Sequence, residues 1–496
     1  MNSFQRKSLY AALAGVGALG VTGTADAVNV NPNSLGQVLI YPYYTVNTDS
    51  RGNAFNSLIS VVNSTNSAKA VKVRFLEGKD SREVLDFNLF LSAYDVWTGA
   101  VIPSPVTAGG RVFTTDQSCT IPSNTLLQAG VDFVNFAYTG SAADGADTGL
   151  DRTKEGYVEM IEMSDFFSTT CTYIDITHIA GIPKDCAGIS DGQALSDSSS
   201  ATGGLFGAVQ IINVDSGGDY DADAVALQRF NTVDGGNYQF ANSVSPQLTD
   251  AHPQQSVVYD AERARVHTAH GSDVNVYISD WTGSSNPADT VSAVLMHNQV
   301  MNEFILDSVT NSATDWVVTF PTKRFYVLTG TGPAEKLFQR NFNNAAGACD
   351  DVTLNIYDRE EQTTSTPTTF SPPPPTFTNS ICWEANIITF NSGNVFGSQN
   401  SANINTGFQH GWLNLGFAPP KAPATYHALV NTTATTHIFS AAGGLTVGET
   451  KTYMGLPVVG FAAASYTNGV LTVSGTAVLA NYGSKFGQKA TTVITN

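Results

Sequence analysis

Alternating apolar and polar positions run along much of the chain, and they predict β-strands. In residues 71–76, the apolar Val71, Val73 and Phe75 alternate with charged side chains. A repeat of two residues places the apolar set on one face of a strand. The pattern resumes at residues 84–91 after a short turn rich in Gly, Asp and Ser. The two segments together predict a β-hairpin.

The same signal recurs towards the C-terminus, whereas helical periodicity is scarce. Further strands are predicted at residues 156–163, 315–320, 352–357, 383–390, 437–439 and 471–479. Residues 223–230 form the best candidate for a short helix, and residues 288–300 are ambiguous between helix and strand. We therefore predict an all-β fold of two or three β-sandwich domains, Ig-like or jelly-roll-like, with few short helices.

Two loop-like segments suggest where the domains divide. Residues 190–204 are rich in Ser, Gly and Asp, and residues 330–335 contain two glycines and a proline. These segments predict an N-terminal β-sandwich domain at residues 28–200 and a central β-rich domain at residues 201–332. A C-terminal β-sandwich domain is predicted at residues 333–496.

The N-terminus has the features of a signal peptide. Arg6 and Lys7 precede a short apolar stretch, and Ala25-Asp26-Ala27 supplies a small-x-small cleavage pattern. We predict that residues 1–27 are a leader, cleaved before Val28. The protein is then exported to the periplasm, the cell surface or the medium.

Composition excludes several classes of protein. The chain carries 24 Lys and Arg against 42 Asp and Glu, a net charge of −18. This balance argues against nucleic-acid binding, which needs clustered cations. No 18-residue apolar run follows the leader, so we predict no transmembrane segment in the mature chain.

Export makes disulfides the natural interpretation of the cysteines. The chain contains five: Cys119, Cys171, Cys186, Cys349 and Cys382. We predict bridges Cys119–Cys186 and Cys349–Cys382, with Cys171 left as a buried free thiol. The second bridge would bracket the Pro-rich residues 371–376 and close a loop of about 33 residues, which stabilises by roughly 3–4 kcal/mol. The alternatives are five unpaired thiols, or a link between chains through Cys171.

An acidic segment is the best candidate for metal binding, and no other cofactor is predicted. Its carboxylates belong to Asp215, Asp219, Asp221 and Asp223. Hard oxygen ligands on a Gly-containing loop suit Ca²⁺, although the spacing lacks the Glu of an EF-hand loop. The alternative is a solvated acidic turn at the N-terminus of a helix beginning near Asp223.

Aromatic residues near the predicted mature N-terminus are candidates for partner binding. Tyr41, Tyr43 and Tyr44 cluster around Pro42. If exposed, these rings would bind glycans or a partner protein. Pro42 predicts an edge strand, which could pair with a strand of another subunit.

The sequence contains no convincing catalytic constellation. Residues 188–192 match G-x-S-x-G but lack the strand and helix of a nucleophile elbow. His267 and His270 have the i, i+3 spacing of a metal pair, yet Gly and Ser follow at once. Glu159 and Glu162 lie in one predicted strand and point to opposite faces, unlike a glycosidase pair. We predict that the protein is not an enzyme.

Several strand segments together resemble a known family. They lie at residues 36–46, 70–78, 81–91, 155–163 and 315–326, and include AVKVRFLEG and DWVVTFPTKRFY. They are similar to exported, largely uncharacterised proteins of Gram-negative bacteria that are described only as cell-surface or hypothetical proteins. The resemblance implies a Gram-negative source and an exported destination, and it supplies no activity or catalytic residue.

These features favour an exported, non-enzymatic protein of the cell envelope or surface with a structural, adhesive or assembly role. Its expected partners are a second copy of the chain or a cell-surface glycan or protein. The alternative is a secreted carbohydrate-binding or carbohydrate-degrading protein.

Overall fold

The computed structural model of the protein describes residues 26–260, 275–327, 337–343, 346–363, 370–371, 379–417, 426–439 and 444–495. Strands account for most of its regular structure. Strands β1 to β9 are Asn29–Val30, Val38–Thr45, Asn56–Asn63, Ala68–Glu77, Glu83–Leu91, Val96–Pro103, Gly110–Phe113, Cys119–Ile121 and Val131–Asp132. Strands β10 to β16 are Glu155–Phe166, His178–Ile179, Ile182–Pro183, Ser198–Ser199, Leu205–Asn213, Gly218–Asp223 and Val225–Gln228.

The remaining strands and the helices lie as follows. Strands β17 to β25 are Gln255–Asp260, Asn275–Asp280, Met296–His297, Gln299–Ile305, Ser312–Thr319, Asp350–Asp351, Thr353–Asp358, Phe370–Ser371 and Ser380–Ile381. Strands β26 to β35 are Ala385–Phe390, Ser401–Ile404, His410–Gly416, Ala428–Phe439, Gly444–Met454, Leu456–Pro457, Val459–Val473, Thr476–Gly487, Lys489–Thr491 and Val493–Thr495. Helices α1 to α4 are Asn124–Ala129, Cys171–Ile176, Asp191–Asp197 and Asp289–Leu295.

Two antiparallel sheets in the N-terminal half pack face to face. One has the strand order β1-β16-β2-β10-β4-β5-β8, and the other has the order β15-β14-β3-β6-β7-β9. Their inner faces share one apolar core that includes Phe75, Phe87 and Trp97. The predicted alternation at Val71, Val73 and Phe75 supplies this face from β4.

The first sheet is covered on its second face as well. Every residue of β2, β4 and β10 is buried. On the second face, Tyr157 and Ile161 share a core with Val291 of α4 and Phe320 from the C-terminal half. Charged residues at the alternate positions of these strands therefore lie inside the protein rather than in water.

The C-terminal half contains three larger sheets. Their strand orders are β24-β27-β26-β21-β32-β33, β23-β28-β20-β34 and β17-β18-β29-β30-β35. The first two pack together, with the rings of Phe304 and Phe390 stacked 5.0 Å apart. On the opposite face of the first, Ile387 and Phe461 join the core of the N-terminal sandwich.

The predicted all-β fold with few short helices is confirmed. The predicted helix at residues 223–230 is wrong, because β15 and β16 occupy this stretch and pair with β14 and β2. The ambiguous segment 288–300 contains both kinds of element, since α4 is followed by β19 and the start of β20.

The sheets divide the chain differently from the predicted boundaries. Strands β14 to β16, after residue 200, complete the N-terminal sheets. Strands β20 and β21, before residue 332, belong to the C-terminal sheets. Residue 332 itself, most of the leader, the Pro-rich segment from residue 372 and both His267 and His270 lie outside the described residues. Within the described part of the chain, no helix is long and apolar enough to cross a membrane.

Candidate functional site

A layer of ion pairs occupies the second face of the β4–β10 pair. Arg74 lies directly opposite Glu159 in the ladder, and its Nη1 donates to Glu159 Oε2 at 2.8 Å. Its Nε donates to Glu83 Oε2 at 2.7 Å. Lys72 pairs with Asp86 on the neighbouring strand β5. Burial raises the pKa of Glu159, although the Arg74 charge opposes that shift.

A second cluster closes the hairpin between β4 and β5. Arg152 Nε and Nη2 donate to the two carboxylate oxygens of Glu77 at 2.7 and 2.9 Å. Nη2 also donates to Asp144 at 2.5 Å, and the guanidinium lies 4.3 Å from the centre of the Tyr138 ring. Such a bidentate, fully buried arrangement is typical of a structural ion pair.

A third cluster lies at the far end of β4. Lys69 Nζ donates to Glu162 Oε1 and Asp165 Oδ1, both at 2.7 Å, and to Thr202 Oγ1 at 3.0 Å. Gly203 N donates to Glu162 Oε2 at 2.8 Å. Burial raises the pKa of Glu162 to about 8; Lys69 lowers it and the Asp165 carboxylate raises it further.

A fourth cluster lies beside the second disulfide. Lys323 Nζ is 3.0 Å from Asp350 Oδ2 and sits over the Phe320 and Phe338 rings. Neither of the two contacting atoms makes a well-aligned hydrogen bond, so the contact is purely ionic. His427 Nε2 lies 3.1 Å from Asp350 Oδ1. Burial opposes ionisation of Asp350, yet Lys323 and His427 lower its pKa below the ordinary value.

Serine, histidine and aspartate meet at one further place, but not as a catalytic triad. Ser92 Oγ lies 3.1 Å from His178 Nδ1, and Asp95 Oδ2 lies 3.6 Å from the same nitrogen. A triad needs the serine and the carboxylate on opposite ring nitrogens, so that the ring can relay a proton. Asp95 instead accepts the backbone N–H of Ser92 at 3.0 Å.

The other motif residues also have structural roles. Ser190 of the G-x-S-x-G match is the N-cap of α3 and accepts the Gln193 N–H at 3.2 Å. Glu159 and Glu162 do not form a carboxylate pair across a cleft, because each is held by its own cation, Arg74 and Lys69.

The structure corrects the prediction of an exposed, partner-binding surface at the N-terminal tyrosines. Tyr41, Tyr43 and Tyr44 are completely buried, and β2 lies between β16 and β10 rather than at an edge. Their hydroxyl groups donate to Ser60 O, Glu155 Oε2 and Thr153 O.

Pro42 is tolerated inside the sheet because the β2–β10 ladder is irregular at this point. Strand β16 pairs only with residues 38–40 of β2, so no ladder bond is needed from Pro42 on that side.

The acidic segment lies on a strand rather than on a loop before a helix. Asp219, Asp221 and Asp223 alternate along β15 and are exposed on one face, while Asp215 precedes the strand. Lys485 Nζ is 3.5 Å from Asp221 Oδ2. Across the described residues, no group of three or more His, Cys, Asp or Glu side chains is placed to hold a metal ion. This arrangement leaves the predicted Ca²⁺ site untested, and metal removal distinguishes it from a solvated strand.

The structure contains both predicted disulfides, Cys119–Cys186 and Cys349–Cys382. Cys171 is a free thiol as predicted, but it is exposed at the start of α2 rather than buried. The two bridges are compatible with an oxidising, exported location.

Two surfaces expose large apolar or aromatic side chains. The first is the excursion, defined as residues 167–199 between β10 and β14 and fixed to β8 by the first disulfide. Its exposed large apolar residues are Phe167, Ile174, Ile179, Ile182 and Leu195.

The second surface lies on the four-stranded sheet. Glu303, Trp412 and Tyr357 lie side by side on β20, β28 and β23. The Trp412 and Tyr357 rings stack 4.7 Å apart at 18°, and Trp412 is 38% exposed.

No protein family, curated protein or solved structure matches this chain. The geometry described above is therefore the basis of the functional argument.

The sequence patterns do not predict the buried charge network. The charges themselves are a clue in the sequence, because Lys69 and Arg74 of β4 lie opposite Asp165 and Glu159 of β10, and neighbouring strands pair opposite charges. Only the fold reveals that both faces of these strands are covered.

The pH dependence of stability tests the raised pKa of a buried carboxyl group, which lies at the junction of the two halves. Burial raises the pKa of Asp315 from 3.8 to about 8, although the Phe396 N–H, 3.0 Å away, favours ionisation. Between these values the folded state binds more protons than the unfolded state. The free energy of unfolding should therefore fall as pH rises from 5 to 8, with an Asp315 contribution on the order of 1 kcal/mol per pH unit.

Urea unfolding of wild type and Asp315→Asn at several pH values measures this contribution. The variant should show a flatter dependence, whereas the exposed Asp219→Asn should follow wild type. An equally steep fall in Asp315→Asn would contradict the assignment.

Metal removal tests the acidic strand. Since β-strand geometry spreads the alternating carboxylates of Asp219, Asp221 and Asp223 along one face, we expect the same thermal midpoint in EDTA and in excess calcium. A midpoint that rises with calcium, and does not rise in Asp221→Asn, would instead establish the site.

Proposed function

We propose that the protein is an exported, non-enzymatic component of the cell envelope or surface that acts in structure, adhesion or assembly. The arrangement of its chemistry supports this role. The buried cations Arg74, Arg152 and Lys323 lie in ion pairs that join strands and turns and are shielded from solvent. The Ser92, Asp95 and His178 group lacks the geometry for proton relay.

The single observation that carries the assembly role is the set of exposed apolar side chains on the excursion. Five large apolar side chains are exposed within residues 167–199, on a segment that a disulfide holds in place. Ile179 and Ile182 are cross-strand partners and more than 60% exposed each. Neighbouring exposed apolar residues such as this pair favour an interaction surface.

We assign a second copy of the chain as the occupant of this surface. The excursion also carries Cys171, the odd cysteine, which is exposed. An odd exposed thiol in an oxidising compartment is a candidate for pairing between molecules. In a two-fold dimer the same patch contacts itself, so Cys171 of one copy can approach Cys171 of the other.

Light scattering coupled to size exclusion tests the assembly role. We expect wild type to be a dimer or larger, and the double variant Ile179→Thr/Ile182→Thr to be monomeric, because Thr keeps strand propensity but removes apolar area. Cys171→Ser should lose only the covalent link that is visible on non-reducing gels.

The matched control is Val106→Thr/Val309→Thr, which changes two exposed valines elsewhere. It should associate as wild type does. A wild type that is monomeric at every concentration, or an isoleucine variant that still associates, would contradict the proposal.

A second candidate function, carbohydrate binding, is favoured by one observation. Trp412 and Tyr357 form a stacked, partly exposed aromatic pair on the outer face of a sheet, beside Glu303. Flat aromatic surfaces next to hydrogen-bonding groups suit sugar rings.

Titration with a panel of cell-surface oligosaccharides tests this candidate. Trp412→Ala should weaken binding roughly tenfold or more, about 1.4 kcal/mol. Tyr482→Ala, which removes another exposed aromatic residue, should leave it unchanged. Absence of binding by wild type, or equal binding by Trp412→Ala, would remove the candidate.

A further inference from the structure

The backbone brings a lysine and two carboxyl groups onto one face at the end of β4. Lys69 lies directly opposite Asp165 in the β4–β10 ladder. Residues three apart in a regular strand point to opposite faces, but the ladder shifts register between Glu162 and Ser164. This irregularity turns Glu162 to the same side as Asp165, so both carboxyl groups face Lys69.

The three side chains are sealed from solvent. Their exposed side-chain fractions are 0% for Lys69, 0% for Glu162 and 5% for Asp165. Lys69 Nζ lies 2.7 Å from an oxygen of each carboxyl group. The fold thus keeps the lysine nitrogen beside both carboxyl groups, and such proximity replaces a bimolecular encounter with a high effective concentration.

From this geometry we infer that Lys69 and Asp165 form an intramolecular amide bond, with Glu162 as the proton-transfer group.

The reaction balances without an added reagent. Burial favours the neutral amine, whereas the charges of Glu162 and Asp165 raise the pKa of Lys69 overall. The ammonium must therefore first give a proton to the Asp165 carboxylate, which leaves a neutral amine and a carboxylic acid. Nζ attacks Asp165 Cγ, and the Nζ–Cγ bond forms. Glu162 donates a proton to the departing hydroxyl and takes one from the attacking nitrogen. The Cγ–O bond breaks, one water leaves, and Glu162 ends as it began.

Two neighbouring side chains are placed to assist amide-bond formation. Burial raises the pKa of Glu162 to about 8, which favours its acid form, although Lys69 opposes this shift. Thr202 Oγ1 donates to Asp165 Oδ2 at 2.6 Å, so it can stabilise the negative charge that develops on this oxygen. The product also relieves a cost, because an amide replaces an ammonium and a carboxylate in a dry interior.

Two other buried lysines, Lys72 and Lys323, lack this arrangement. Lys72 pairs with Asp86, whose side chain is 23% exposed. Lys323 contacts Asp350 without hydrogen-bond alignment, and His427 together with Lys323 favours the ionised carboxylate. These two lysines therefore serve as internal controls.

Mass spectrometry of the purified wild-type protein tests whether the amide bond forms. We expect an intact mass one water lower than that of the disulfide-bonded chain. We also expect a cross-linked peptide pair joining Lys69 to Asp165 after reduction and digestion. Lys72 and Lys323 should be recovered in linear peptides.

Substitutions of the three residues test the part that each one takes in the reaction. Glu162→Gln and Lys69→Arg should each retain the water, and Asp165→Asn should lose ammonia in place of water. Glu159→Gln is the matched control, since Glu159 is equally buried on the same strand but faces Arg74, and it should form the bond.

Recovery of linear peptides containing Lys69 and Asp165 from folded wild type, at the full unmodified mass, would overturn the inference. This measurement needs no variant to fold, and it is independent of the proposed role in the cell envelope.

Discussion

Burial of both faces of the central strands is the constraint on which the rest of the structure depends. An antiparallel sheet commonly leaves one face in water. Here β2, β4 and β10 are buried along their whole length. The second N-terminal sheet covers one face, and the C-terminal half together with the excursion and Tyr238 covers the other. A charged residue in these strands therefore needs an internal partner, because an unpaired buried charge costs several kcal/mol.

The partners come from neighbouring strands and from distant parts of the chain. Arg74 and Lys69 find carboxylates on β10, while Arg324 Nη1 donates to Ser81 O at 2.9 Å. Ser81 in turn donates to the buried Glu384 at 3.0 Å. These polar contacts cross from the first hairpin to the C-terminal half, so the network both satisfies buried charges and joins the two halves of the chain.

Local patterns in the sequence predicted the strands, the sandwich packing and both disulfides, because period-two alternation and an oxidising context are visible without the fold. What they could not predict was which strands have a second covering layer. Tyr41, Tyr43 and Tyr44 therefore suggested a surface where there is core. The alternation of Asp219, Asp221 and Asp223 is a strand signal, but the density of charge is equally typical of a loop before a helix.

Native-state hydrogen exchange tests the central claim most directly, because amides that open only on global unfolding exchange last. If the C-terminal half covers the second face of β10, the amides of β10 and of β21 should share the slowest exchange rate. That rate should rise together for both strands in Glu159→Ala, which leaves Arg74 buried with one partner fewer. Rapid exchange of β21 while β10 remains protected, or a Glu159→Ala effect confined to β10, would contradict the account.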